Sequence, residues 1–129
     1  MAGTVITDVV QSSISGTPPQ FNDGNGTQTG TLCRAWVNFN GTGTVAIRAS
    51  FNVSSITDNG TGDYTVNFTT AMPDTNYSLA GACSFAPTST SSAPVVDIHT
   101  LATGSARIVT TRYTDNVIDL STVAVSIFR

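Results

Sequence analysis

The side chains that could perform chemistry are few and widely spaced along this chain. The only histidine, His99, lies two residues from Asp97 in an alternating run, so the pair could act as a general base with its orienting carboxylate. No Gly-x-Ser-x-Gly nucleophile elbow accompanies it, and a serine-rich chain places a serine near any histidine by chance. A polar pair between strands is the preferred interpretation, and we predict no catalytic residue and no enzymatic activity.

Two pairs of carboxyl groups, Asp58 with Asp63 and Asp115 with Asp119, have the residue types that glycoside hydrolysis needs. The first pair flanks a turn that we expect to be exposed, where neither pKa would rise as an acid catalyst requires. The same turn, DNGTGD, has oxygen ligands for calcium but lacks the ligand order and the bidentate Glu of an EF-hand. Turn capping explains these residues better, and we predict no metal and no cofactor.

Cys33 and Cys83 each fall in a predicted strand and offer two alternatives. A disulfide between them would suit a secreted domain, whereas two reduced cysteines in the core would suit a protein made in a reducing cytoplasm, which is the preferred interpretation. Two cysteines and one distant histidine form no zinc pattern. The amino terminus lacks the features of a secretory signal, and no run of about 18 apolar residues occurs, so we expect neither that export route nor a membrane span.

The composition favours strands and argues against charged partners. Charged residues make up 10% of the chain, against about 25% in an ordinary globular protein, and Lys and Glu, both good helix formers, are absent. The net charge is −3 and the arginines are scattered, so no basic surface is available for phosphates or anionic lipid. We therefore expect no nucleic acid and no membrane among the partners.

Alternating apolar and polar residues predict the elements that must position any site. Residues 32–70 read as three strands joined by two Asn-Gly turns, Asn40-Gly41 and Asn59-Gly60. Further strands are predicted near residues 77–85, 95–101, 106–113 and 118–128. Seven short strands at a spacing of about 8 to 12 residues predict an all-β fold, either an antiparallel β-sandwich or a Greek-key barrel.

The second predicted strand has the clearest alternation. Its odd positions from 45 to 53 are apolar, so we predict one core face and a long antiparallel hairpin with residues 64–68. The alternation of apolar and polar residues is interrupted at Ser54-Ser55, because the next apolar residue, Ile56, falls at an even position. One extra residue in the strand would turn Ile56 back toward the core. We predict a β-bulge at this position.

Residues 1–30 differ from the rest of the chain, because they are rich in Gly, Pro, Ser and Asn and have no sustained period. We predict an extended arm or linker over residues 1–30, for attachment or subunit exchange, and a β-sandwich knob over residues 31–129. The apolar residues expected to contact a sister subunit or the protein to which the arm attaches are Val5, Ile14, Phe21 and Trp36. Trp36 is included because a large aromatic residue in an alternating strand belongs in a core or an interface.

Residues 30–77 read GTLCRAWVNFNGTGTVAIRASFNVSSITDNGTGDYTVNFTTAMPDTNY. This segment resembles one that recurs in tail-fibre and other virion surface proteins of marine and freshwater tailed bacteriophages, including cyanophages, and the upstream TPPQFNDGNGTQTG resembles its usual linker. The resemblance covers under half of the chain and supplies no catalytic residues. It implies a β-rich homotrimer that is made in the host cytoplasm and displayed on the virion surface.

The expected function is therefore that of a non-enzymatic virion structural protein, an oligomeric knob of tail-fibre type held by its own arm. Its partners would be further copies of itself, other virion proteins and a host cell-surface glycan. Outward loops are the expected places of host contact, at Phe85, Thr88, Arg107 and Tyr113. Two alternatives stay open: a capsid decoration protein, and a small glycan-binding module or polysaccharide-degrading enzyme with an acidic pair and an exposed aromatic platform.

Overall fold

A computed structural model describes residues 20–22, 27–29, 32–85, 94–112 and 116–129. These residues contain ten β-strands and no helix. The described part of the chain therefore includes no helix long and apolar enough to cross a membrane. The chain divides between Leu32 and Cys33 into two compact units. The all-β prediction is confirmed.

The described part of the first unit is a short antiparallel hairpin. Strands β1 (Gln20–Asn22) and β2 (Thr27–Thr29) pair with Gln20 opposite Thr29. We had predicted no strand here, and the connecting residues DGNG contain the Asp-Gly and Asn-Gly dipeptides that favour tight hairpins. Val5 and Ile14 lie outside the described residues and Phe21 lies in β1, so their attachment role stays a prediction.

The second unit is an antiparallel β-sandwich. Its strands are β3 (Cys33–Asn40), β4 (Ala46–Phe51), β5 (Val53–Gly60), β6 (Asp63–Phe68), β7 (Ser78–Ser84), β8 (Val95–Leu101), β9 (Ser105–Thr111) and β10 (Thr122–Phe128). Sheet 1 has the order β4-β3-β10-β7, and sheet 2 has the order β5-β6-β9-β8. Of the two predicted architectures, the sandwich is confirmed.

The core lies between the inner faces of the two sheets, as the alternation predicts. Strand β3 buries Ala35, Val37 and Phe39, while the residues between them point outward. Among the described residues, the other large fully buried side chains are Tyr64, Val66, Ile108, Thr110, Leu120, Val123, Val125 and Ile127. Phe39 and Tyr64 meet edge to face across the sandwich with ring centroids 5.1 Å apart, an arrangement that aromatic quadrupoles favour.

The predicted hairpin is present only from Val53 onward, where β5 pairs with β6, and its part over residues 45–51 is wrong because the chain changes sheets at Asn52. This residue has a φ of 55°, a left-handed conformation that asparagine tolerates better than most residues. Its side-chain amide donates to the carbonyls of Arg34 and Thr70, each at 3.0 Å, and its Oδ1 accepts from the Thr70 N–H at 2.7 Å. Strand β4 therefore joins sheet 1 and β5 joins sheet 2. All six residues of β4 are exposed, so the predicted core face of this strand is also wrong.

The predicted bulge is confirmed. Val53 pairs with Phe68 and Ser55 pairs with Asn67, so Ser54 is the extra residue. Ile56 is half-buried and packs against the core, as expected if the bulge turns this residue back toward the interior.

The two cysteines are free and too far apart to pair. Cys33 lies opposite Phe128 and Cys83 lies opposite Val123, on the two strands that flank β10. A difference of five positions along β10 corresponds to about 16 Å at the usual rise per residue, well beyond the reach of a disulfide. The disulfide alternative is therefore wrong. Burial raises the pKa of the Cys83 thiol, which keeps it protonated at neutral pH.

Candidate functional site

The outer surface of sheet 1 carries exposed aromatic residues, and we call it the aromatic face. Trp36 on β3 lies directly opposite Phe51 on β4 and opposite Ser126 on β10. Phe128 follows two residues later on the same side of β10. The exposed fractions are 38% for Trp36, 56% for Phe51 and 38% for Phe128, so these rings are only partly covered.

Beside the aromatic residues, the aromatic face carries several small side chains. One row across the sheet contains Ala49, Asn38, Ala124 and Ala82. The strands of sheet 1 contain no acidic residue, and their only charged residues are Arg34 and Arg48. Arg48 donates to Asn38 Oδ1 at 3.2 Å and to the Ser121 carbonyl at 2.5 Å. Such a surface can pack against a partner protein or stack against a sugar ring.

The outer surface of sheet 2 is mostly hydrophilic, although Val95 and Val109 lie in its outward register, and we call it the polar face. Arg107 forms a bidentate ion pair with Asp63, with Nε 2.9 Å from Oδ1 and Nη2 2.6 Å from Oδ2. Asn59 Nδ2 donates to the same Asp63 Oδ1 at 3.2 Å and to Thr65 Oγ1 at 2.9 Å. The hydrogen bond from Arg107 holds the pKa of Asp63 below its ordinary value.

The polar face continues as a ladder of amide and hydroxyl groups. Asn67 Nδ2 donates to Ser55 Oγ at 3.1 Å and to Thr57 Oγ1 at 2.9 Å, both on the neighbouring strand β5. Its members therefore satisfy much of one another's hydrogen-bonding capacity. Sequence analysis missed this pairing, which depends on the register after the bulge at Ser54.

His99 and Asp97 do not form the arrangement of a catalytic base in this structure. His99 is the extra residue of a second bulge, between Ile98 and Thr100, and its Nδ1 lies 2.8 Å from Thr100 Oγ1. Asp97 Oδ2 instead accepts from Thr111 Oγ1 on the adjacent strand at 2.9 Å. Each polar group thus has a structural partner of its own.

Among the aspartates considered for acid catalysis or metal binding, Asp115 lies outside the described residues and the others cap turns or fix strands. Asp58 Oδ1 accepts from the Gly60 N–H at 2.9 Å. Asp119 Oδ1 accepts from the Gly62 N–H at 2.6 Å and lies 2.9 Å from the Tyr64 hydroxyl. Within the described parts of the chain, no group of three or more His, Cys, Asp or Glu residues could hold a metal ion.

Tyr64 links three segments in the interior. Its hydroxyl lies 2.9 Å from the Gly41 carbonyl as well as from Asp119 Oδ1, and burial, followed by the bond to Asp119, raises its pKa above the ordinary value. Gly41 has no space for a side chain, because a Cβ there would lie 2.5 Å from the Tyr64 oxygen. Sequence analysis missed this cluster, since Tyr64 and Asp119 are 55 residues apart.

The residues predicted to contact a host occupy different environments. Phe85 is half-buried against the core, and the Arg112 guanidinium lies 4.3 Å from its ring centroid. Arg107 lies within β9 rather than in a loop, so its predicted placement is corrected. Thr88 and Tyr113 lie outside the described residues. A binding role for these four residues stays a prediction.

The chain matches no protein-family model, no curated protein and no solved structure at a significant level. The fold and its two contrasting outer faces therefore carry the functional argument.

Proposed function

We propose that this protein is a non-enzymatic structural component of a virion surface, a knob of tail-fibre type that assembles through its aromatic face. The observation that carries this proposal is the juxtaposition of Trp36, Phe51 and Phe128 on a sheet surface where all three rings are partly exposed. Large aromatic residues at the centre of a protein contact supply most of its binding energy. Trp36 was the strand residue predicted from sequence to lie at a subunit contact.

The neighbours of these aromatic residues support a contact between copies of the chain. Ala49, Ala80, Ala82 and Ala124 provide a shallow surface that a second sheet or an aromatic side chain can approach closely. Sheet 1 contributes no carboxylate, so burying its outer face leaves no acidic group without a partner. We propose a homotrimer, following the resemblance of residues 30–77 to trimeric phage proteins.

The polar face fits the solvent-facing side of such an assembly. Its hydroxyl and amide groups bond one another, and its one ion pair, Asp63 with Arg107, is partly exposed. In this proposal the polar face and the loops point away from the particle, while residues 1–30 attach the knob to other virion proteins. A capsid decoration protein would have the same properties at another location.

A glycan-binding module is the second candidate, and one observation favours it. The neighbouring rings of Trp36 and Phe51 form the exposed aromatic platform that this alternative requires. The hydrolytic form of this alternative lacks support, because Asp58 caps a turn and Asp63 is engaged by Arg107. The same face thus has two competing occupants, a second copy of the chain and a host polysaccharide.

Light scattering on the purified chain, combined with electron microscopy of parent particles labelled for this chain, tests the proposal. We expect a trimeric mass and label on the outer surface of the particle, at the fibre or the head. A monomer at all accessible concentrations that binds host polysaccharide would replace the first candidate with the second. Absence of label from purified particles would overturn the virion assignment itself.

A further inference from the structure

The chain contains three Asn-Gly dipeptides, and the structure gives two of them opposite environments. Asn-Gly is the dipeptide in which the backbone nitrogen of the following residue most readily attacks the asparagine side chain, because glycine has no Cβ to obstruct the approach. Asn40-Gly41 and Asn59-Gly60 are both described, whereas Asn25-Gly26 is not. None of the proposals above depends on their chemistry.

Asn59-Gly60 is exposed and its attacking nitrogen already faces a carboxylate. Both residues lie in the bulged end of β5, where Asn59 is the extra residue between Asp58 and Gly60. Gly60 has a φ of 128°, and no atom of another segment lies within 4 Å of where its Cβ would be. The Gly60 N–H donates to Asp58 Oδ1 at 2.9 Å, so this carboxylate can accept its proton.

Asn40-Gly41 has the same sequence, but its backbone is held by contacts with other segments of the chain. The Gly41 N–H donates to the Leu120 carbonyl at 2.9 Å, and Gly41 is buried beneath the Tyr64 hydroxyl. The side-chain amides do not distinguish the two sites, because Asn40 Nδ2 and Asn59 Nδ2 each donate two hydrogen bonds, so the difference lies in the buried backbone of Gly41. A ring closure here would break the contact between the β3–β4 turn and the segment before β10, which the packed interior opposes.

We infer that Asn59 is a site of spontaneous, structure-directed deamidation and that Asn40 is protected from the same reaction. The Gly60 nitrogen forms a bond to Asn59 Cγ while its proton passes to the Asp58 carboxylate. The bond between Cγ and Nδ2 breaks and Nδ2 leaves as ammonia with a returned proton, which gives a succinimide. Water then opens the ring to aspartate or isoaspartate, so no oxidant, reductant or enzyme is consumed.

The product changes the polar face. Asn59 Nδ2 is a donor to Asp63 Oδ1 and to Thr65 Oγ1, and deamidation replaces it with a carboxylate oxygen. A second negative charge then lies beside Asp63, where it competes for Arg107. Ageing of the protein therefore adds negative charge to one face of the sandwich and leaves the other unchanged.

Peptide mass spectrometry after incubation of the full chain in mildly alkaline oxygen-18 water tests this inference, because ring opening incorporates the heavy oxygen. In the folded protein we expect product at Asn59 to exceed product at Asn40 by at least about tenfold, since ring closure at Asn40 also requires opening of the buried contact between Gly41 and Leu120. In urea the two rates should converge. Equal rates in the folded protein, or an Asn59 that reacts only in urea, would overturn the inference.

A matched pair of variants tests the role of the carboxylate. Asp58→Ser replaces the carboxylate that faces the Gly60 N–H with a hydroxyl, which is a far weaker proton acceptor, and we expect it to slow reaction at Asn59 several-fold. Asp74→Ser removes an equivalent turn contact, in which Asp74 Oδ1 accepts from the Asn76 N–H at 2.8 Å, and should leave the Asn59 rate unchanged. Equal rates in the wild type and Asp58→Ser would exclude proton transfer to Asp58.

Discussion

The two outer faces of this sandwich come from the same alternating pattern but carry opposite chemistry. On the polar face, outward residues such as Asn59, Asn67 and Arg107 bond their neighbours across the strands. On the aromatic face, Trp36 and Phe51 lie side by side with alanines around them and project into solvent. Alternation thus identifies which residues point outward, and the cross-strand neighbours decide what an outward residue can do.

The physical difference lies in the cost of exposure. Leaving apolar surface in water costs about 25 cal/mol for each Å² that could otherwise be buried, so the aromatic face gains free energy from a partner. The polar face gains little from being covered, because a partner would have to replace hydrogen bonds to water and would desolvate Asp63 and Arg107. The four predictions below test this contrast, beginning with the largest effect.

The residue that separates the two faces should have the largest effect on stability. Asn52→Ala keeps the left-handed backbone but makes it unfavourable, and it removes three hydrogen bonds to Arg34 and Thr70. We expect a loss of about 3 kcal/mol in the free energy of unfolding, from about 1 kcal/mol of strain and the remainder from hydrogen bonds. Urea denaturation measures it.

Asn52→Gly is the control, because glycine accepts this φ and loses only the hydrogen bonds. It should be more stable than Asn52→Ala by about 1 kcal/mol. If both variants were as stable as the wild type, the strand change at this position would not depend on Asn52.

The aromatic face should control self-association. Trp36→Ser combined with Phe51→Ser is expected to weaken assembly by about 30-fold or more, which is about 2 kcal/mol, because two exposed anchors are lost. Sedimentation equilibrium measures the change. The matched polar-face variant, Thr57→Ser with Thr65→Ser, should assemble as the wild type does. The reverse result would move the contact to the polar face.

The interior should affect stability without distinguishing the faces. Tyr64→Phe removes a buried hydroxyl that bonds the Asp119 carboxylate, and we expect a loss of about 1.5 kcal/mol. Tyr77→Phe should cost less, about 1 kcal/mol, because the Tyr77 hydroxyl meets only the neutral carbonyls of Ala102 and Ser105. Thermal unfolding compares the two, and light scattering should find assembly unchanged in both.

The smallest effect is the pH dependence of the polar face. The folded pKa of Asp63 lies below its unfolded value of 3.8, so its ion pair with Arg107 stabilises the protein above that pH. This contribution is lost as the pH falls through the folded pKa. Arg107→Gln should therefore unfold with a weaker acid dependence than the wild type in urea denaturation at a series of pH values.

The exposed pair Asp74–Arg129 provides the comparison, since the Arg129 hydrogen bond also lowers the pKa of Asp74. Arg129→Gln should remove a further part of the acid dependence, and the double variant should remove both parts additively, because the pairs share no residue. An Arg107→Gln profile identical to the wild type would mean that solvent screens the polar-face pair completely.

Only a small part of the candidate site could be located from sequence, because Trp36 was predicted at a contact whereas its neighbours Phe51 and Phe128 were not. Trp36 was predicted at a contact because large aromatic residues in alternating strands belong in cores or interfaces. Phe51 was predicted to face the core, because it lies two residues before Val53 in the alternating run and both side chains would point to the same side of one strand. The structure places the two on opposite sides of the turn at Asn52, which exposes Phe51 and buries Val53. The alternation of apolar and polar residues does not indicate where the chain passes from one sheet to the other.

The sequence by itself determined the all-β class, the inner faces of β3, β6 and β10, and the bulge at Ser54. Each of these follows from the period of two residues, which is a local property of an extended chain. Only the tertiary structure decided that the strand around Asn52 divides between two sheets. Its left-handed conformation is held by Arg34 and Thr70, each 18 residues away, and local alternation cannot encode contacts made at that separation.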